Sequence, residues 1–251
     1  MKPRRLLYNA AIAAFWIAVW ALCAYLIDKP LLLPGPLATL LELTGLIRTK
    51  EFWLDTLTTM GRILVGYSSA IIVGSLLGMA GYFYPLANAV LSPVRQIIRA
   101  TPVSSFIILV LLWLGTGTVP VFISFLMVMP IIWTGVQEGL VNTDRNLLEM
   151  ARAYRFRRVK MLIHVYLPSV RPFFSAACVT GLGFAWKSGI AAEVIARPVR
   201  AIGANLQDAK VYLETPRLFA WTAVVILLSM LLEKVLIRLV SNGKKQVKKS
   251  D

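Results

Sequence analysis

Three long stretches of this chain carry no charged side chain: Leu6–Ile27, Ile63–Val94 and Ala100–Gln137. Crossing a bilayer core of roughly 30 Å takes about 20 residues of apolar helix. The first stretch fits one crossing, and the third is long enough for nearly two. Of the 251 residues, 58% are apolar, above the roughly 45–50% of soluble domains. The expectation is an all-α membrane protein of about six transmembrane helices, forming a single transmembrane domain over 1–251.

The expected spans are about 7–27, 61–82, 102–114, 119–138, 172–195 and 217–240. Lys2, Arg4 and Arg5 precede the first apolar run as they would in a signal peptide. The run is too long for that role and ends in Ile27-Asp28-Lys29-Pro30 with no small-residue cleavage site, so it is read as a retained helix. Pro34, Gly35 and Pro36 then break the chain, and Leu37–Leu46 reads as a short surface helix. In the second span Gly66, Ala70, Gly74 and Gly78 recur every fourth residue. That spacing makes one helical stripe, and small residues on it let another helix approach closely. Residues 83–101 read as a membrane-surface connection. Residues 115–120 break the third span from the fourth, and 196–216 hold another short amphipathic segment.

The net charge of +15 would suggest nucleic acid in a soluble protein. Here the basic residues sit at the ends of apolar runs, so they are topology signals and no nucleic acid is expected. Both termini are basic, including Lys244, Lys245, Lys248 and Lys249, and the positive-inside bias assigns both to the cytoplasm. The 83–101 and 139–171 segments then also face inward. Cys23 and Cys178 lie in or beside spans and read as apolar packers. His164 is the only histidine and has no neighbouring ligand type, so no metal is expected.

The most informative segment is 142–172. Asp144 can cap a helix start. Leu147, Ala151 and Tyr154 then share a face. After a break near Arg155–Phe156, Val159, Leu162, Ile163 and Tyr166 make a second apolar stripe, which Pro168 should end. Arg152, Arg155, Arg157, Arg158 and Lys160 border these stripes. The segment reads either as a solvated, lipid-held loop or as a docking element for a soluble partner, since an apolar stripe edged by charge suits a helix-in-groove contact.

Glu149-Met150-Ala151 followed by Tyr166-Leu167-Pro168 resembles the EAA loop of ABC importer permeases. Glu149, Ala151, Leu167 and Pro168 match in register, with Val165 at the family's Ile. Met150 replaces an Ala, and Arg155 replaces a Gly, which is acceptable if the turn needs no positive φ. LLLPGPLATL, ATPVSSFIILVLLWLGTG and AWKSGIAAEVIA are similar to the nitrate, sulfonate and taurine branch of these permeases. The resemblance implies a type I ABC importer permease fold, with a pair of permease subunits forming the pore. It also implies two cytoplasmic ABC ATPase subunits holding ATP and magnesium, an extracytoplasmic substrate-binding protein, and residence in a bacterial inner membrane. The solute implied is small and anionic, of sulfonate, taurine or nitrate kind; a pyrimidine or thiamine precursor is also compatible with the branch.

No enzyme signature is found. Gly181 to Ser188 approaches a Walker A spacing, but Trp186 stands where phosphate cradling needs glycine. ATP hydrolysis is therefore expected on a partner, with no cofactor in this chain. Charges within spans are functional candidates. Lys187 could attract an anionic substrate, or it could pair with a carboxylate or snorkel to an interface. Glu193, Trp186, Ser104 and Ser105 complete the substrate-path candidates; Trp186 can simply pack, and Glu193, six residues on, lies off the Lys187 face, so the two are not expected to pair within the helix. Arg62 reads as an interfacial anchor. An ion-coupled secondary transporter using Glu138, Glu193 and Lys187 as a relay is the competing class, although no internal inverted repeat is visible.

Overall fold

The structure, a computed structural model, describes residues 3–247, with side chains described at 8 and 10–238. The basic groups Lys2, Arg4, Arg5, Lys244, Lys245, Lys248 and Lys249 lie outside the residues whose side chains are described. The described residues are helical with short connections: α1 (Pro3–Ile27), α2 (Pro36–Ile47), α3 (Lys50–Phe83), α4 (Pro85–Ala100), α5 (Val103–Leu111) and α6 (Val119–Val141). They continue as α7 (Arg145–Ala153), α8 (Arg158–Met161), a π-turn (Leu162–Tyr166), α9 (Leu167–Ala196), α10 (Ile202–Val211) and α11 (Thr215–Val247).

Three helices, α3, α6 and α9, make the core, and small residues set how closely they pack. A Cβ on Gly74 would lie 2.7 Å from the Met129 carbonyl oxygen and 3.0 Å from Ile132 Cβ, and one on Gly78 would lie 2.8 Å from the Trp133 carbonyl oxygen. One on Gly66 would meet the Val121 carbonyl oxygen. With Ala70 buried between them, the whole stripe lies inside the protein, and its glycines face α6. Contacts pair rising numbers on α3 with rising numbers on α6, so these helices run parallel. On its other side α6 meets α9 in the opposite sense: Gly139 lies against Val170, and Gly135 against Ala177. Ile123, Val128, Ile132, Trp133 and Trp186 fill the space between.

Among the described residues, five helices or unbroken helical stretches are long and apolar enough to cross a bilayer. A sixth crossing is available from α4 and α5, which together pass the same test but bend by 103° at their junction. The helix boundaries differ from the sequence reading in three places, the third at Pro168. Residues 83–101, read as a surface connection, form the amphipathic helix α4, and α5 alone is too short to cross. The second span extends back to Lys50; at about 1.5 Å per residue a 34-residue helix is about 50 Å long, well beyond a bilayer core.

Pro168 does not end a helix. The chain is helical without a break from Arg158 to Ala196. A proline inside an α-helix lacks the N–H for its own bond and crowds the carbonyl of the residue four before it. The turn preceding Pro168 widens to π geometry, with Leu167 N–H bonded to the Leu162 carbonyl, and this accommodates the ring.

Candidate functional site

Where α6 ends and α9 begins, residues 142–166 fold into a small platform. The Asp144 carboxylate accepts the Asn146 N–H at 2.8 Å and starts α7. Ala151 is fully buried beneath the helix, so the α7 stripe inferred from spacing divides: Ala151 anchors it, while Leu147, Met150 and Tyr154 are exposed. Glu149 and Arg157 are also exposed, as are Leu167 and Pro168. Val159, Leu162 and Ile163 of the second stripe lie open too. The result is an apolar surface edged by arginines.

The turn out of α7 contradicts the expectation for Arg155. Its φ is 53°, in the left-handed region that favours glycine. The Arg155 N–H bonds to the Arg152 carbonyl and the Phe156 N–H to the Ala151 carbonyl, both at 2.9 Å. This is the Schellman pattern, in which a glycine usually occupies the left-handed position. Positive φ is therefore required here, and an arginine adopts it at a cost of about 1–2 kcal/mol.

At the opposite end of the bundle, Glu193 is completely buried. Thr59 Oγ1 donates to its carboxylate, 3.0 and 2.9 Å from the two oxygens, Gly203 N–H donates at 3.1 Å, and Arg62 Nη1 pairs with it at 3.3 Å. Arg62 also donates to the carbonyls of Val199 at 2.9 Å and Arg200 at 3.0 Å. Thr59 Oγ1 in turn accepts from Ile202 N–H at 3.0 Å. Arg62 is thus not simply an interfacial anchor: with Glu193 it locks α3, α9 and the entry to α10 together. Arg197 and Arg200 on this loop both take positive φ, and Arg197 pairs with Asp208 of α10. Sequence reading took Glu193 as a substrate-path candidate and did not find this pair, because Arg62 lies 131 residues away. The available signal was Thr59 and Arg62, a polar pair on one helical face just before the apolar stretch.

The remaining path candidates separate. Trp186 is buried and donates from Nε1 to the Val225 carbonyl at 3.1 Å, so it packs. Ser104, Ser105 and Lys187 are exposed, and Lys187 has no ion-pair or hydrogen-bond partner among the described residues. The Glu138–Glu193–Lys187 relay of the competing reading is not assembled: Glu193 is committed to α3 and α10, while Glu138 lies in the last turn of α6, near the platform.

Sequence reading did not find a groove along the side of α6. It is lined by Arg95 and Arg99 from α4, by Thr134, Gln137 and Glu138 from α6, and by Thr180 from α9. Arg95 is held in place: Nη1 donates to Gln137 Oε1 at 2.7 Å, and the guanidinium lies 4.9 Å from the Trp133 ring centroid. Gln137 Nε2 donates to Asn88 Oδ1 at 3.1 Å, tying α4 to α6.

The chain is thus a helical bundle with a bent helix pair and a platform between two central helices. The same fold is found in a solved structure described as an amino acid ABC transporter with histidines, with a TM-score of 0.59 over 76% of this chain and 91% of that one, at 15% identity. Residues 70–244 match the family model "Binding-protein-dependent transport system inner membrane component", and the chain belongs to that family. Among its relatives, the taurine transport system permease protein TauC of Escherichia coli is 26% identical over 89% of this chain and 82% of its own. The putative aliphatic sulfonates transport permease protein SsuC of Escherichia coli is 29% identical over 79% and 76%. The bicarbonate transport system permease protein CmpB of a Synechocystis strain is 27% identical over 63% and 56%. The chain is therefore a membrane-spanning transport subunit rather than an enzyme. Its family places ATP hydrolysis on separate ATPase subunits and works with a binding protein.

Proposed function

We propose that a pair of copies of this chain forms the solute path of an ABC importer. The solute is a small acid of the taurine, sulfonate or bicarbonate kind carried by its relatives' systems. The platform, within the 139–171 segment, is the fitting for the cytoplasmic ATPase. The observation that carries this reading is the exposed apolar surface of α7 and the π-turn, edged by Arg152, Arg155, Arg157 and Arg158. Such a surface suits a groove on a soluble partner, and burying Tyr154 and Leu147 there would offset their exposure to water. ATP binding can drive transport only by favouring one permease conformation over another, and the platform joins α6 and α9, two of the three core helices.

Both termini and the platform are assigned to the cytoplasm. α11 packs Trp221 on Phe52 near the Glu193 end and runs back toward the platform end, which agrees with the basic tail lying inside. Lys187 lies on the α9 face that also carries Ala176, Thr180 and Phe184. An unpaired cation at that depth in lipid is costly, so we assign this face to the path between the two copies.

Glu149→Lys tests the reading. The variant should insert and dimerise normally, lose ATP-dependent uptake, and release its ATPase on purification. Normal import with the ATPase retained would refute the docking role.

A further inference from the structure

We propose that the groove between α4, α6 and α9 is a binding site for a small zwitterion, a solute with an acidic oxyanion at one end and an ammonium group at the other. The proposal rests on the transport reading above and narrows its solute class.

Two adjoining cavities, each of about 300 Å³, share Arg99, Thr134 and Glu138. Together they run along α6 from the level of Pro130 to Asn142 at the edge of the platform. The volume is at the small end for ligand sites, about 300–1,000 Å³, and suits a solute of few heavy atoms.

The charges in this groove are arranged without satisfying one another. Arg99 and Glu138 line both cavities, yet neither has an ion-pair or hydrogen-bond partner for its side chain among the described residues. Arg99 follows Arg95 by one helical turn, so both guanidinium groups serve the same wall. The contacts of Arg95 with Gln137 and Trp133 set its position before any ligand arrives. Paired guanidinium groups suit an oxyanion, to which they can donate in parallel. The Thr134 hydroxyl gives its proton to the Pro130 carbonyl at 2.8 Å, leaving its oxygen free to accept. An ammonium group needs such acceptors, and Glu138 with Thr134 supplies a charged one and a neutral one.

Glu138 makes the site selective. It lines both cavities from the last turn of α6, beside the platform, with no protein partner for its carboxylate among the described residues. A simple oxyanion held by Arg99 would leave that carboxylate unpaired and repelling the ligand. A zwitterion would satisfy both ends. Selection against the simple anion therefore comes from a repulsive element as well as an attractive one.

The test uses the full permease–ATPase complex in lipid nanodiscs without its binding protein, with calorimetric titration of two probes. Taurine carries a sulfonate and an ammonium group; isethionate carries the same sulfonate with a hydroxyl in place of the ammonium. The expected result is that wild type prefers taurine by about tenfold or more, the scale of one charge-assisted contact. Glu138→Gln should bring taurine down to the isethionate level and leave isethionate unweakened. Arg99→Gln should weaken both. Equal affinity for the two probes in wild type, no measurable binding of either, or a preference that survives Glu138→Gln would overturn the proposal. So would dissociation of the permease pair in either variant, which would mean that these charges pair between copies. ATP-dependent uptake by the wild-type complex tests the permease reading separately: a complex that imports but ignores Glu138 sinks the zwitterion site alone.

Discussion

Replacing Glu193 by alanine should be among the most damaging single changes at the end of the bundle opposite the platform. The substitution leaves Arg62, whose side chain is 16% exposed, without its carboxylate. It also strips acceptors from the Thr59 hydroxyl and the Gly203 N–H, both in a buried setting. Removing one member of a buried pair costs about 3–5 kcal/mol, because an uncompensated charge stays behind. At about 2–4 °C per kcal/mol for a chain of 150–250 residues, the melting temperature in detergent should fall by roughly 6–20 °C. Arg62→Ala removes the charge together with its bonds to Val199 and Arg200, and Glu193→Ala with Arg62→Ala should be less harmful than the sum of the two. The assay is thermal unfolding of wild type, both single variants and the double variant, with limited proteolysis of the 197–201 loop. Strict additivity, or a Glu193→Ala protein melting within about 2 °C of wild type, would refute the view that these residues form one unit.

The other expectations concern separate parts of the molecule. Arg155→Gly should raise the melting temperature slightly, because it relieves left-handed strain of about 1–2 kcal/mol less the entropy a glycine loses on folding; a lower melting temperature would contradict the Schellman turn. Gly74→Leu should destabilise by at least about 1–3 kcal/mol through overpacking against α6, whereas Gly61→Leu, with nothing within 4 Å of its Cβ position, should be tolerated; equal effects on thermal stability would remove the seam. Lys187→Met should reduce uptake while leaving assembly and ATPase binding intact, and unchanged uptake would place Lys187 off the path.

Much of this architecture was legible in local pattern. Apolar run length marks the long helices, four-residue spacing marks the stripe that meets α6, and Asp144 marks the start of α7. These features depend on residues within a few turns of one another. What escaped sequence reading depends on distant partners or on backbone adjustment. The ion pair of Arg62 with Glu193 joins residues far apart in the chain. The left-handed Arg155 was hidden because arginine ordinarily avoids that conformation. The helix running through Pro168 was hidden because proline usually stops a helix, and only the π-turn at Leu162–Tyr166 lets it continue. The groove escaped because its lining comes from three helices, with Arg99, Glu138 and Thr180 each ordinary in its own segment.

The most direct test of the account is site-specific crosslinking from the platform. With cysteine replacing Tyr154, the purified complex should crosslink to its ATPase subunit in a nucleotide-dependent manner, and in intact cells the site should resist a membrane-impermeant thiol reagent. Labelling of residue 154 from outside the cell, or a transport-competent complex in which it never approaches an ATPase, would contradict the assignment of 139–171 as the element that couples ATP to this permease.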